Sequence, residues 1–299
     1  MKKEFHFLQS PSFILIHIAC LLVIYVGVSW TALITCIALY IFRMAGITAG
    51  YHRYFSHRTY KTSRTFQFIL AWIGASAAQQ GPLWWAAHHR YHHQYSDSEN
   101  DAHSPKVQGF WWSHIGWLFS PEYRETKYKL VPDLVRYREL LFINKYYLLP
   151  PASLAASLWV LGILLEHNVG ELGTSGFQMF VWGFNISTIL LYHGTFTINS
   201  LSHMFGRRRF QTKDNSRNNL LIALITLGEG WHNNHHCYPS SERQGFYKWE
   251  IDVSHYILRV LCQLGIVWDL RTPPDSVYRV AARGGDMSAP NTIKTVPAK

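Results

Sequence analysis

Three histidine clusters carry the chemistry of this chain: His52-Arg-Tyr-Phe-Ser-His57, His89-Arg-Tyr-His92-His93 and His232-Asn-Asn-His235-His236. The second and third share the pattern H-x-x-H-H. On an α-helix, positions i, i+3 and i+4 fall within about one quadrant of the surface, so each pattern puts three imidazoles on one face. His52 and His57 stand five apart and share no straight-helix face, so the helix is expected to end or bend between them. Imidazole is the commonest side-chain metal ligand, and its neutral nitrogen suits iron, zinc, copper or nickel. Eight histidines exceed the needs of one tetrahedral ion and point to a site with two metals.

Two further residues join the clusters by position. His203, in Asn199-Ser-Leu-Ser-His203, follows the last long apolar run and lies level with them. Glu229 forms E-x-x-H with His232, a pairing used by carboxylate-bridged di-iron helix bundles. It is either a ligand or the acceptor that orients an imidazole, and the abundance of histidines favours the second role. The isolated His6, His17, His167 and His255 read as satisfied structural residues, and His193 as a hydrogen-bonded helix residue.

The elements that must position these groups are apolar. Of the 299 residues 48% are hydrophobic, yet the apolar residues are segregated into long runs, the profile of a multispan membrane protein with aqueous loops. Four runs, at about 13–28, 30–50, 148–165 and 177–198, form two transmembrane hairpins; Arg43 sits near the cytoplasmic end of the second, where it can snorkel. Twelve Lys/Arg lie between Tyr51 and Lys145, none between Tyr146 and Gly206, and the basic count resumes at Arg207-Arg208-Arg209. That is the positive-inside asymmetry, with both termini and all three clusters on the cytoplasmic side. It accounts for the net charge of +10 without nucleic acid, through anionic headgroups or an anionic carrier on the substrate.

The expected fold is therefore an all-α membrane protein in which four transmembrane helices carry a cytoplasmic helical cap, residues 51–147 and 199–281, as a single domain 1–281. A disordered tail is expected over 282–299. The runs Phe66 to Ala78 and Leu220 to Leu227 are too short to span and read as interfacial or cap helices. Trp249 to Leu264 places Ile251, Tyr256, Ile257, Val260, Leu261 and Leu264 on one stripe, suited to covering the cap. The four cysteines form no C-x-x-C pair, which disfavours a disulfide framework or zinc knuckle.

The order HRYFSH, HRYHH, HNNHH with hairpins between resembles the integral-membrane fatty acyl desaturases, most nearly their stearoyl-CoA desaturase-like branch. Gly46-Ile-Thr-Ala-Gly50, Trp112-Ser-His-Ile-Gly-Trp117 and Gly228-Glu-Gly-Trp231 carry the likeness around the boxes, from about Ala45 to Pro274. The resemblance implies two irons held by His52, His57, His89, His92, His93, His203, His232, His235 and His236, with Asn199 supporting a metal-bound water and O2 as co-substrate. It implies that Cys36 and Tyr40, with Thr197 and Ser200, flank a tunnel for the acyl chain, and that His103 and His114 are structural. Δ9 is the double-bond position it carries.

At Ala87 and His88 the chain departs from the Arg-Asp pair with which the animal acyl-CoA enzymes help bind the CoA headgroup, so a phospholipid-esterified chain enters as a substrate beside acyl-CoA. No His-Pro-Gly-Gly haem motif or G-x-G-x-x-G fingerprint is present, so electrons are expected from a separate ferredoxin, rubredoxin or b-type cytochrome with its reductase, docking on basic cytoplasmic surface. The rivals are a membrane hydroxylase on the same scaffold and a metal transporter. Transport is disfavoured because the clusters lie outside the spans, away from the bilayer midplane.

Overall fold

The apolar runs fold as helices, and their ends converge on the histidines. A computed structural model of the protein describes residues 10–282 together with Gly284. Helix α1 (Pro11–Val26) ends at Gly27, whose φ of 63° turns the chain; α2 (Trp30–Ser56) follows, capped by Ser29 Oγ accepting from the Ala32 N–H. Next come α3 (Arg64–Ser76), α4 (Pro82–Tyr95), a run of short helical turns, α5 (Arg138–Lys145) and α6 (Leu149–Asn168). Helix α7 covers residues 176–199, and the cap adds α8 (Leu220–Ile225), α9 (His232–Cys237), α10 (Val253–Gln263) and α11 (Asp275–Ala282). One antiparallel ladder, β1 (Lys61–Thr62) against β2 (Val267–Trp268), pairs Lys61 with Trp268.

Two of these helices, α2 and α6, are long and apolar enough to cross a membrane; α1 is apolar but shorter, and α7 changes helix type over Phe180–Ile186. Ile24, Trp30, Ile34, Leu161 and Leu164 point outward from α1, α2 and α6. Helices α6 and α7 pack at glycine: a Cβ on Gly162 would lie 2.5 Å from the Ser175 carbonyl oxygen. The main core gathers Met44, Tyr51, Phe55, Leu70, Leu83 and Leu140 where α2, α3, α4 and α5 meet, directly beneath the histidine-bearing helix ends.

Two expectations change. Arg43 does not snorkel: it is fully buried, donating to the Ser187 and Thr188 hydroxyls and to the Ser76 and Leu39 carbonyls, which together satisfy its guanidinium inside the helix bundle. The stripe assigned to covering the cap faces outward, with Tyr256, Val260 and Leu264 46%, 54% and 67% exposed. The packed face of α10 is instead Ser254, His255 and Leu258, because its polar groups have buried partners, Thr48 Oγ1 at 2.7 Å and the Glu242 carboxylate at 2.9 Å. The expected helix end between His52 and His57 is present: α2 stops at Ser56 and His57 is its C-cap. The tail expected from Ala282 falls outside the described residues, apart from Ala282, which closes α11, and Gly284.

Candidate metal centre

Over Gly46–Ser56 helix α2 widens into a π-helix, and the His57 N–H donates to the His52 carbonyl at 3.2 Å, a bond spanning five residues. With hydrogen bonds of that span, residues five apart stack on one face. His52 and His57 therefore enter the same cluster, ring centres 4.8 Å apart.

Helix α4 starts at Pro82, and Asn144 Oδ1 on α5 accepts from the Leu83 and Trp84 N–H groups at 3.1 and 2.9 Å. This side chain caps α4 from outside and fixes the direction of His89, His92 and His93. Helix α9 is only six residues long and is held by its own two asparagines. Asn233 Oδ1 accepts from the Arg209 and Phe210 N–H groups, both at 2.7 Å, while Asn234 Nδ2 donates to the Gln244 carbonyl and Glu250, both at 2.9 Å. Gly230, just before it, presses on α8, where a Cβ would meet the Ala223 nitrogen at 2.1 Å. His203 comes from the turn Leu201–His203 after α7.

The nine histidines assemble into two groups: His52, His57, His89, His93 and His235 in one, His92, His203, His232 and His236 in the other. Within each, the ligand nitrogens lie within 4.8 Å of one another. Each H-x-x-H-H pattern divides between the groups: α4 gives two imidazoles to the first and one to the second, α9 one and two. The seam is the stacked pair His93 and His236, ring centres 4.5 Å apart.

In the first group the Nε2 atoms meet at 3.1 Å (His52–His235), 2.9 Å (His235–His93), 3.0 Å (His93–His89) and 2.8 Å (His89–His57). Two imidazole nitrogens bound at right angles to one cation, each about 2.1 Å from it, lie about 3.0 Å apart. The spacing fits a shared metal ion.

The outer nitrogens reinforce this. His92 Nδ1 donates to Asp101 at 3.0 Å, His203 Nδ1 to Asp97 at 3.0 Å, His236 Nδ1 to Asp214 at 2.7 Å, and His52 Nδ1 to Glu229. A neutral ring whose Nδ1 carries the proton presents a bare lone pair at Nε2, and the carboxylate fixes tautomer and direction. His236 Nε2 is buried without a protein partner, as a ligand atom facing its ion would be. Two buried rings whose bare Nε2 atoms face each other without a shared proton repel, and a cation between them removes that conflict.

Burial first, then the neighbouring imidazoles, push His57, His89, His93, His232 and His235 well below the usual histidine value, so they stay neutral donors. Burial also acts on His92, but Asp101 outweighs it and moves that ring upward. Burial opposes ionisation of Asp97, yet His203, the Asn215 N–H and Ser104 carry it down to about 2. Asp101 and Asp214 are held below the usual carboxylate range by the same kind of histidine contact.

Glu229 lies in neither group. One oxygen meets His52 Nδ1; the other accepts from Arg53 Nε and Nη2 at 3.1 and 3.0 Å, and Arg53 reaches on to Asp252 at 2.9 Å. Asn199 is on the wall of a cavity that also includes Phe13, Trp84, Trp85, His89, Tyr192 and Phe196. Cys36, Tyr40, Thr197 and Ser200 are not on that wall. Cys36 is buried, Tyr40 Oη donates to the Ile225 carbonyl at 2.7 Å, Thr197 bonds the Gly194 carbonyl, and Ser200 bonds the Phe196 carbonyl and meets His114 Nδ1.

Asp97, Asp101 and Asp214, the two asparagines of α9 and Arg53 were not read from the sequence. The Asp-x-x-x-Asp spacing just past the second cluster was the available signal. Replacing Asp97, Asp101 or Asp214 singly by Asn removes the acceptor charge behind one imidazole. Each variant is expected to lose about 10–100-fold in metal affinity, measured by competition with a chromophoric chelator.

The fatty acid desaturase family model matches residues 28–261. The chain is 38% identical over 251 residues to an acyl-CoA C20 Delta5-desaturase of Anemone leveillei, covering 83% of this chain and 76% of that protein. It is 35% identical over 283 residues to Delta-9 acyl-lipid desaturase 1 of Arabidopsis thaliana, covering 93% and 87%. To the sn-2 palmitoyl-lipid 9-desaturase of Nostoc sp. (strain 36) it is 36% identical over 252 residues, covering 82% and 84%. A match of this extent, over the same stretch that builds both histidine groups, makes this chain a member of the fatty acid desaturase family.

Proposed function

We propose that this protein is an O2-dependent acyl desaturase that introduces a cis double bond, at Δ9, into a long saturated acyl chain. The observation that carries this reading is the pair of adjoining histidine groups, one of which, through His89, lines an aromatic cavity. All nine histidines serve as iron ligands in this reading, with Asn199 beside the metal water and Glu229 orienting His52. Bound in the two groups, iron supplies an oxidant from O2 able to take hydrogen from unactivated methylenes, which no side-chain acid or base can do. The balance is one O2, two electrons and two protons in, one double bond and two waters out.

The chain's own residues hold the reacting site in place. Asp97, Asp101, Asp214 and Glu229 fix four imidazoles, and the aromatic walls of Phe13, Trp84, Trp85 and Phe196 exclude water from the acyl chain. The apolar helices form four spans in two hairpins, with the cap, the active site and both termini in the cytoplasm, and the outward stripe of α10 lies in the membrane interface. Acyl-CoA is the substrate in this reading, with electrons from a separate carrier protein. Acyl-lipid names among the relatives favour a second reading in which the chain is esterified to a glycerolipid.

Expression in a desaturase-deficient bacterial strain, with membrane lipids read by gas chromatography–mass spectrometry, tests the proposal. The expected result is a new cis-monoene with its double bond at carbon 9, absent in a His92→Ala copy. Hydroxylated chains would replace desaturation by hydroxylation, and no new lipid despite co-supplied redox proteins would refute the proposal.

A further inference from the structure

Five of the eleven residues from Arg207 to Arg217 are basic and one, Asp214, is acidic. Elsewhere on the cap Lys61 meets Asp269, Arg64 meets Glu139, and Arg58 and Arg90 share Asp133. In this loop Arg209 has such a partner, Glu250. Among the described residues no carboxylate pairs with Arg207, Arg208 or Lys213, and all three are exposed. A charge run alone is ordinary solvated surface; the inner side of the loop gives this one a use.

One oxygen of Asp214 accepts from His236 Nδ1 at 2.7 Å; the other accepts from the Ser216 N–H and Thr212 Oγ1, both at 2.9 Å. Arg208 donates to the Thr212 and Asp214 carbonyls at 2.7 and 2.9 Å, so an exposed cation helps shape the turn that aims Asp214. The Asn215 N–H donates to Asp97, the carboxylate that holds His203, at 2.6 Å. One surface loop therefore stands directly behind two members of the four-histidine group. Behind the five-histidine group, Glu229 is closed off by Arg53 and Gln244, its side chain 2% exposed against 10% for Asp214.

We infer that the loop Arg207–Arg217 is the docking surface for a small acidic one-electron carrier protein, and that electrons enter the four-histidine group through Asp214 and His236. The inference rests on the acyl desaturase reading, which needs two electrons per turnover from outside the chain. Each docked carrier is oxidised by one electron and the iron held by His236 is reduced by one, so two dockings supply one turnover. Unpaired cations attract an acidic partner and steer its approach. The loop is built against the cap: Arg209 and Phe210 donate to Asn233 of α9, and Phe210 packs with Phe246 and with Val277 and Val280 of α11. The exposed apolar residues Phe205 and Leu221 lie beyond its two ends in the chain. That arrangement favours a protein over lipid headgroups as the partner of these cations.

The test measures binding of three carriers to the full-length, iron-loaded protein in phosphatidylcholine nanodiscs, by surface plasmon resonance at low salt. The carriers are an acidic two-iron, two-sulfur ferredoxin, a rubredoxin and a soluble b-type cytochrome domain. Arg207→Glu/Lys213→Glu is expected to weaken the tightest of them about tenfold, mainly through slower association. The difference is expected to vanish in about 1 M salt, where the Debye length is about 3 Å. Lys129→Glu/Arg138→Glu makes the same change of charge at exposed residues elsewhere in the cap and is expected to leave binding nearly unchanged. Retained iron shows that the variants are folded with both metal groups intact. Oxidation of the pre-reduced carrier, followed by stopped-flow absorbance, slows only in the first variant.

Equal weakening by the two charge reversals would reduce the effect to net charge and overturn the docking surface. So would binding of no carrier, or binding that Arg207→Glu/Lys213→Glu leaves intact. Intact carrier binding with loss of the phosphatidylglycerol that co-purifies with the wild type would assign the loop to lipid headgroups instead. The two readings fail separately. Docking and carrier oxidation with no double bond formed would defeat the desaturase reading alone; desaturation with the same dependence on carrier concentration in wild type and variant would defeat the docking surface alone.

Discussion

A His203→Ala/His236→Ala double variant is expected to keep one iron per chain and to lose desaturation entirely. These residues belong to the four-histidine group, and their removal leaves only His92 and His232 there, too few to hold an ion against water. The five-histidine group is untouched: His52, His57, His89, His93 and His235 keep their mutual spacing, and Glu229 still orients His52. If the nine histidines formed one continuous site, the same variant would lose both metals together. Iron content by inductively coupled plasma mass spectrometry, set beside lipid analysis, separates these outcomes.

The second large effect is on stability. Arg53, 1% exposed, lies between Glu229 and Asp252, which are as deeply buried. It also donates to the Glu242 carbonyl at 2.6 Å, so it ties α2 to the loops on both sides of α9. Arg53→Met leaves two carboxylates uncompensated inside the protein, and loss of one partner of a buried pair costs about 3–5 kcal/mol. Arg64→Ala breaks the pair with Glu139 on the exposed surface and is expected to leave stability unchanged. Denaturant titration in detergent, followed by tryptophan emission, gives the comparison; equal effects from the two variants would contradict the assigned role of Arg53.

The histidines announced a metal centre because their spacing needs no tertiary context to be noticed. Their partition did not, since H-x-x-H-H reads as one face, whereas the two groups divide each pattern at the seam between His93 and His236. The five-residue gap between His52 and His57 does hold the helix end, at Ser56, but the α period hid that the π segment brings both rings to one side. Asp97, Asp101 and Asp214 were illegible because they act across loops, on imidazoles 9, 22 and 106 residues away in the chain, and carboxylates in loops are ordinarily solvated. Arg43 and the stripe of α10 were misread for one reason. Both assignments presumed that charge seeks water and apolar surface seeks the interior, and a helix bundle with an apolar exterior relaxes both rules.

The most direct test of the two-group centre is an anomalous difference map of crystals of the iron-loaded protein, recorded at the iron edge. The account predicts two peaks, one among the Nε2 atoms of His52, His57, His89, His93 and His235, the other among His92, His203, His232 and His236. A single peak, or a peak at the neighbouring trio of His92, Asp101 and His103, would contradict it.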